Sequence, residues 1–299
     1  MGLRFGVDIG AGNIRIGLVA GNRVKSARHL QTEGEASDVA VSVAKSVSEL
    51  ATGRPIEWIG VACAGHVDAK LGRVLSSPNL GWRNVPLAKL IRQQMALLGA
   101  YPEIHVENDV NAAIWGEYRA GALRGADSAC AIFIGTGLGG GAILPGGALL
   151  RGASGGAAEF GHMLHTPNGR RCRCGRSGCF EAYASGTAIE SAYAERTGSE
   201  RRASEIWAAR ADDADAGEVA RAAVDALAAL VLDLSAAFDP ERIVFGGGVT
   251  HSCDGLTAEV EAAARARMGE QTQTLPRHVE AALGDAAGVI GAALVEPER

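Results

Sequence analysis

Two stretches of this chain match each other without a gap, and that restricts the fold more than any other feature. Ile9 to Asn22 reads IGAGNIRIGLVAGN, and Ile134 to Gly147 reads IGTGLGGGAILPGG. Gly10 falls on Gly135, Gly12 on Gly137, Leu18-Val19 on Ile143-Leu144, and Gly21 on Gly146. Each copy joins an apolar strand (Phe5 to Ile9; Ala131 to Ile134) to a second one through a glycine-rich turn, which is the pattern of a hairpin. A hairpin of this kind occurring twice implies an internal duplication, with two related α/β domains facing each other.

Around the two copies, helical and strand-like periods alternate. Helices are predicted over Val39 to Thr52, Leu87 to Leu98, Asn111 to Gly121, Gly186 to Thr197, Glu218 to Phe238 and Asp285 to Leu294. Strands are predicted over Ile56 to Cys63, Ile104 to Glu107 and Arg242 to Phe245, with Gly246 to Gly248 as a turn. The division expected from this order is a smaller domain of residues 1–111 plus 286–299, and a larger one of residues 112–285.

A second informative segment, Glu159 to Glu181, reads EFGHMLHTPNGRRCRCGRSGCFE. His162, Cys172, Cys174 and Cys179 provide the four N/S donors of a structural tetrahedral zinc. Cys172 and Cys174 flank a single residue, an awkward geometry for a mutual disulfide. The arginines interleaved with the donors read as charge compensation on a solvated surface. Cys63, Cys130 and Cys253 read as reduced core or surface thiols, so the cysteine usage suits a reducing cytoplasm. A net charge of −5 argues against a broad nucleic-acid footprint. The amino terminus carries no secretory pattern, and no apolar run is long enough for a bilayer.

Glycine-rich turns after strands expose backbone N–H groups to phosphate oxygens, and Thr136 adds a hydroxyl donor beside Gly135 and Gly137. Asp8, at the end of the first strand, is placed to orient magnesium or its waters. Neither a P-loop nor a Rossmann spacing is present. Glu107-Asn108-Asp109 lies where a strand hands over to a helix. Asp109 there could take a proton from a substrate hydroxyl, or Asn108 or Asp109 could simply cap the helix. Ser77-Pro78-Asn79-Leu80 reads as a turn whose Asn79 amide could also meet a polar ligand.

Taken together, these residues resemble the ROK family of bacterial sugar kinases and sugar-responsive repressors, and within it the glucokinase-like kinases. The resemblance runs from about Arg4 to Leu294. It is carried by E-x-G-H followed by C-x-C-G-x-x-G-C-x-E, by the END of residues 107–109, and by GTGLGGG from Gly135. ACAGHVD from Ala62 and PNLGW from Pro78 add to it. It implies an actin-like, hexokinase-type ATPase fold: two RNase-H-like domains, an interdomain cleft and a zinc knuckle. It also implies Asp109 as general base on a sugar 6-hydroxyl, with Asn108 on a neighbouring hydroxyl. Glu159, His162 and Glu181 would hold the far side of the ring, and Gly65 and Asn79 would line the sugar pocket. Asp8, Gly10, Gly12, Gly135, Thr136 and Gly137 would surround the phosphates, and Gly246, Gly247 and Gly248 would approach adenosine. ATP, Mg²⁺ and Zn²⁺ are the implied cofactors, glucose the default sugar, and a homodimer or higher homo-oligomer the implied assembly.

N-acetylmannosamine, N-acetylglucosamine and fructose stay open as substrates. A DNA-binding regulator is disfavoured, because Asp8 stands too near the amino terminus for a preceding helix-turn-helix domain. A sugar-binding protein of weakened catalysis is the third reading. The family's first phosphate loop is close to D-x-G-G-T-[KN], whereas this chain has Asp8-Ile9-Gly10-Ala11-Gly12-Asn13.

Overall fold

The computed structural model describes residues 2–268 and 274–295. Its elements run β1 (Leu3–Ile9), β2 (Asn13–Ala20), β3 (Arg23–Gln31), α1 (Ala36–Ala51), β4 (Ile56–Cys63), β5 (His66–Asp68), β6 (Arg73–Ser77) and β7 (Trp82–Val85). Next come α2 (Leu87–Leu97), β8 (Glu103–Asn108), α3 (Asp109–Ala120), β9 (Ala129–Ile134), β10 (Leu138–Leu144) and β11 (Ala148–Leu149). The chain continues through α4 (Glu181–Ala184), α5 (Gly186–Thr197), α6 (Ala203–Ala209), α7 (Ala214–Phe238) and β12 (Arg242–Gly246). It ends with α8 (Gly248–Ser252), α9 (Leu256–Arg267), β13 (Arg277–Glu280) and α10 (Ala287–Leu294).

Two compact units result. The first comprises residues 1–125, 149–157 and 282–299, and the second residues 126–148 and 158–281. Their sheets share one strand order, β3-β2-β1-β4-β8 in the first and β11-β10-β9-β12-β13 in the second. In both, a hairpin supplies an antiparallel pair, and two further strands join parallel to its first strand. The duplication read from the glycine-rich hairpins is therefore present as topology. The gapless match is not. Ile9 pairs with Ile14 across a loop of four residues, whereas Ile134 pairs with Leu138 across three. Beyond the turn the copies are offset by one position, and a one-residue offset exchanges the faces of a strand.

The sequence reading closes the first unit at residue 111 and reopens it at 286. The unit instead extends to Gly125 and resumes at Ala282, because α3 packs on α10. One face of the first sheet buries Val39, Val43 and Val47 of α1 with Ile91 and Met95 of α2. On α10 and its neighbours the backbones themselves touch. A Cβ on Gly6, Gly60 or Gly291 would lie 1.8, 1.7 or 1.7 Å from the carbonyl oxygen of Val289, Ala292 or Ala112. Three side chains then serve carbonyls at the end of α10, which the helix itself leaves without partners. Arg4 Nε donates to Ala293 O at 3.0 Å, Trp58 Nε1 to Ala292 O at 3.4 Å, and Trp115 Nε1 to Leu294 O at 3.0 Å.

Glu117, fully buried in α3, adds a second tie to the returning chain. Its carboxylate accepts from the backbone N–H groups of Ala122, Ala282 and Leu283 at 2.8, 3.1 and 2.8 Å. In the second unit α7 contributes the long buried face, from Ala216 to Leu234. Among the described residues, no helix is long and apolar enough to cross a membrane.

Candidate active site

In the first unit the chemistry gathers at the carboxyl ends of three adjacent parallel strands, where α/β sheets present their ligands. Asp8 of β1 is in register with Ala62 of β4 and Glu107 of β8, and Ile9 with Cys63 and Asn108. Asn108 caps α3, its Oδ1 accepting from Asn111 N at 2.9 Å, so the capping alternative for this residue holds. The same amide also does more. Its Nδ2 donates to Gly65 O and to Asp109 Oδ1, both at 3.0 Å, and so fixes the half-buried Asp109 carboxylate. Gly65 has φ +113, and a Cβ there would lie 2.4 Å from Ser76 O, so no other residue fits. Asn79 lies exposed on the short 3-10 turn Pro78–Leu80.

In the sequence Glu107 stands only as part of the motif of residues 107–109, and the structure makes it a buried hub. It accepts from Arg151 Nε at 2.7 Å, and from Asn108 N and Asn111 Nδ2 at 3.1 and 3.2 Å. Burial opposes its ionisation, but the neighbouring His105 imidazole and the Arg151 guanidinium outweigh this and hold its carboxyl below the usual range. Arg151 lies 44 positions away, and no local pattern pairs the two.

Burial, followed by the charge of Asp109, pushes Asp8 up to about 6, against the opposing pull of Arg15. Arg15 Nη1 stands 3.6 Å from Asp8, which is 19% exposed. The folded protein thus keeps a proton on Asp8 through a range in which the unfolded chain, ionising near 3.8, has lost it. More protons bound when folded means that stability falls as pH rises between about 4 and 6. Asp8→Asn removes that loss. By pH 8 the variant should be more stable than the parent by about 2–3 kcal/mol, and near pH 4 the gap should close. Urea denaturation at the two pH values checks it; an equal gap at both would be wrong for this account.

The first hairpin loop is fixed by Gly10 N–H donating to Asn13 O at 3.0 Å, and by Thr32 Oγ1 donating to Gly10 O at 2.8 Å. In the second unit, Gly135 N–H donates to Gly137 O at 2.9 Å and leaves Thr136 exposed at the tip. Gly246 ends β12 and Gly248 opens α8, so only Gly247, at φ +89, is a turn residue. A Cβ on Gly247 would lie 2.4 Å from Ile134 O, which sets this turn against the second hairpin.

His162, Cys172, Cys174 and Cys179 converge, their donor atoms all within 4.8 Å of one another. Cys172 Sγ is 3.7 Å from His162 Nδ1, and Cys174 Sγ is 3.6 Å from Cys179 Sγ. Tetrahedral bonds of about 2.0–2.3 Å require ligand atoms about 3.4–3.8 Å apart, so the donor set fits zinc. All six cysteines are free thiols. Cys63, Cys130 and Cys253 are buried, and burial pushes Cys130 up to about 12, which leaves it inert.

Glu181 joins the cluster to the hairpin, accepting from Leu138 N at 3.0 Å and standing 3.5 Å from Cys172 Sγ. Glu159 is exposed, just before the short helix Phe160–His162.

The sequence profile of the ROK family matches residues 4–298. The chain belongs to the ROK family. A glucokinase of Streptomyces coelicolor is 33% identical, over 98% of this chain and 97% of that protein. Among solved structures, a ROK family glucokinase from Streptomyces griseus in complex with glucose and AMPPNP superposes with a TM-score of 0.82 at 36% identity, over 98% of both chains. A ROK hexokinase from Thermus thermophilus superposes with a TM-score of 0.87 at 31% identity, over 98% of this chain and 97% of that one. The actin-like ATPase fold of these ROK proteins accounts for the repeated sheet order.

Proposed function

We propose that this ROK protein is an ATP-dependent hexose kinase that phosphorylates the 6-hydroxyl of glucose, with Asp109 as general base. The observation that carries this is the Asp109 carboxylate, fixed by the Asn108 amide at the carboxyl end of β8. The matched glucokinases support the substrate. Asp109 would take the hydroxyl proton as the sugar oxygen attacks the γ-phosphorus and the β–γ bridging oxygen departs. Asn108, Gly65 and Asn79 are the further sugar contacts we assign to the first unit, and Glu159, His162 and Glu181 those we assign to the second.

ATP with Mg²⁺, when bound, supplies the phosphoryl group and the cation that offsets its charge. Asp8, Gly10 and Gly12 are assigned to the phosphates, as are Gly135, Thr136 and Gly137, and Gly246 to Gly248 to the adenosine. A cytoplasmic location and a homodimer complete the reading. Coupled ADP release across a panel of glucose, fructose, N-acetylmannosamine and N-acetylglucosamine tests it. Turnover with none of them would remove the kinase assignment.

Zinc, when bound, supplies a rigid anchor to the knuckle, and His162 would carry that rigidity to the sugar. Chelation with a strong zinc ligand should lower the melting temperature and weaken glucose binding together, since metal binding and local folding are linked. Metal analysis of freshly purified protein finding no zinc would refute the assignment.

Gly12 offers no hydroxyl to phosphate, and the Thr32 hydroxyl is engaged with Gly10 O. Nothing lies within 4 Å of a Cβ at Gly12. Gly12→Thr should therefore fold normally and raise kcat/KM by about one to two decades, the worth of a hydrogen bond to a charged group. An unchanged kcat/KM would mean that this loop does not meet the nucleotide phosphates.

A further inference from the structure

Beside the Asn108–Asp109 corner the first unit holds a cavity of about 460 Å³. It is bounded by the loop after β5, the first turns of α2, the middle of β8, and Arg151. Lys70, Lys89, Arg92 and Arg151 line it, and among the described residues no carboxylate does, in a chain whose net charge is −5. Lys89 and Arg92 are exposed at the rim, whereas the Arg151 side chain is only 10% exposed. Helix α2 opens on Pro86, with no side-chain cap and no acid in its first turn, so its positive end is left uncompensated.

The floor gives the independent indication. His105 is 8% exposed, and among the described residues its Nε2 has no hydrogen-bond partner; Glu107 Oε2 stands 3.5 Å away. A buried, under-satisfied imidazole is costly unless something completes it. An oxyanion entering this cavity would meet His105 and Arg151 at the floor and Lys89 and Arg92 at the rim. A cavity of this volume suits a small metabolite.

We propose that this cavity binds a phosphate group, free or as a monoester, and that occupancy acts on the catalytic corner through Glu107. Arg151 and His105 are the partners that face Glu107 on its Oε2 side, while its Oε1 holds Asn108 N and Asn111. An anion drawing both partners toward itself leaves the buried Glu107 carboxylate under-compensated and loosens the seat of Asn108, which orients Asp109. Turnover then falls without any contact between effector and substrate. The binding half stands without the kinase reading; the coupling half rests on it.

The test compares the parent with Lys89→Glu/Arg92→Glu, two rim residues outside the proposed catalytic and substrate contacts. Acidic residues in the first turns of a helix favour it, so this variant should keep its melting temperature. With glucose and AMPPNP saturating, calorimetry is run with two probes, inorganic phosphate and glucose 6-phosphate. The parent should bind saturably and the variant at least tenfold more weakly. Equal affinity for the two probes assigns the site to free phosphate, and a clear preference for the second assigns it to a sugar phosphate. No saturable binding by the parent below about 10 mM, or equal affinity in parent and variant, overturns the site. Inorganic phosphate should lower the parent's kcat at saturating substrates and leave the variant's unchanged; binding without that effect overturns the coupling. Calorimetry reads the site even if no hexose is turned over, so failure of the kinase assignment is separable from failure of this one.

Discussion

Asp109→Asn is expected to lower kcat for hexose phosphorylation by about 10²–10⁴-fold, the contribution of a positioned general base. The substitution keeps the shape of the side chain and an oxygen able to accept from Asn108 Nδ2, now 3.0 Å from Asp109 Oδ1. Glucose affinity should therefore stay within a few-fold of the parent. Single-turnover kinetics paired with calorimetry separates the two quantities. A matched loss of affinity and rate would make Asp109 a binding residue only. A rate within tenfold of the parent would remove it from proton transfer altogether.

The largest stability effect is expected at Gly291. A methyl group there would lie 1.7 Å from Ala112 O and 2.9 Å from Gly116 N, both backbone atoms. No rotamer change relieves such a clash, so α10 and α3 must move apart. Overpacking costs about 1–3 kcal/mol where side chains can yield, and Gly291→Ala should reach or exceed the upper end. Gly12→Ala, with open space around it, is the control and should be nearly neutral. Guanidinium denaturation of both variants checks the contrast, and similar midpoints would mean that the α10–α3 contact yields more readily than its geometry implies.

Segments with clear ends were the legible part of the fold. Ile56 to Cys63 and Gly186 to Thr197 match β4 and α5 to the residue, because the first is an apolar run broken only by Glu57 and the second is bounded by the Ser185 cap and by Gly198. β3, β13 and the small sheet β5-β6-β7 were missed. β3 is an edge strand whose residues Arg23 to Gln31 are mostly solvated, so little hydrophobic alternation marks it. In the site, residues adjacent in sequence were readable, among them Asn108 with Asp109 and the cysteines with His162. Glu107 with Arg151, and Glu117 with Ala282 and Leu283, were not. Those pairs are made by the topology, across separations that no local pattern spans.

The backbone contact of α10 with β1, β4 and α3 bears on how the chain is made. Every strand of the first sheet has been synthesised by Asn108, yet the helix that seals one side of that sheet begins only at Ala287. All of the second unit, residues 126–148 and 158–281, is translated in the interval. A growing chain therefore carries a complete but unsealed sheet, with Gly6 and Gly60 waiting for backbone that does not yet exist. The last residue of the second unit is made before α10 begins, although that unit comes later in the sequence. A truncated chain ending at Ala281 should leave the first unit open to protease while the second resists.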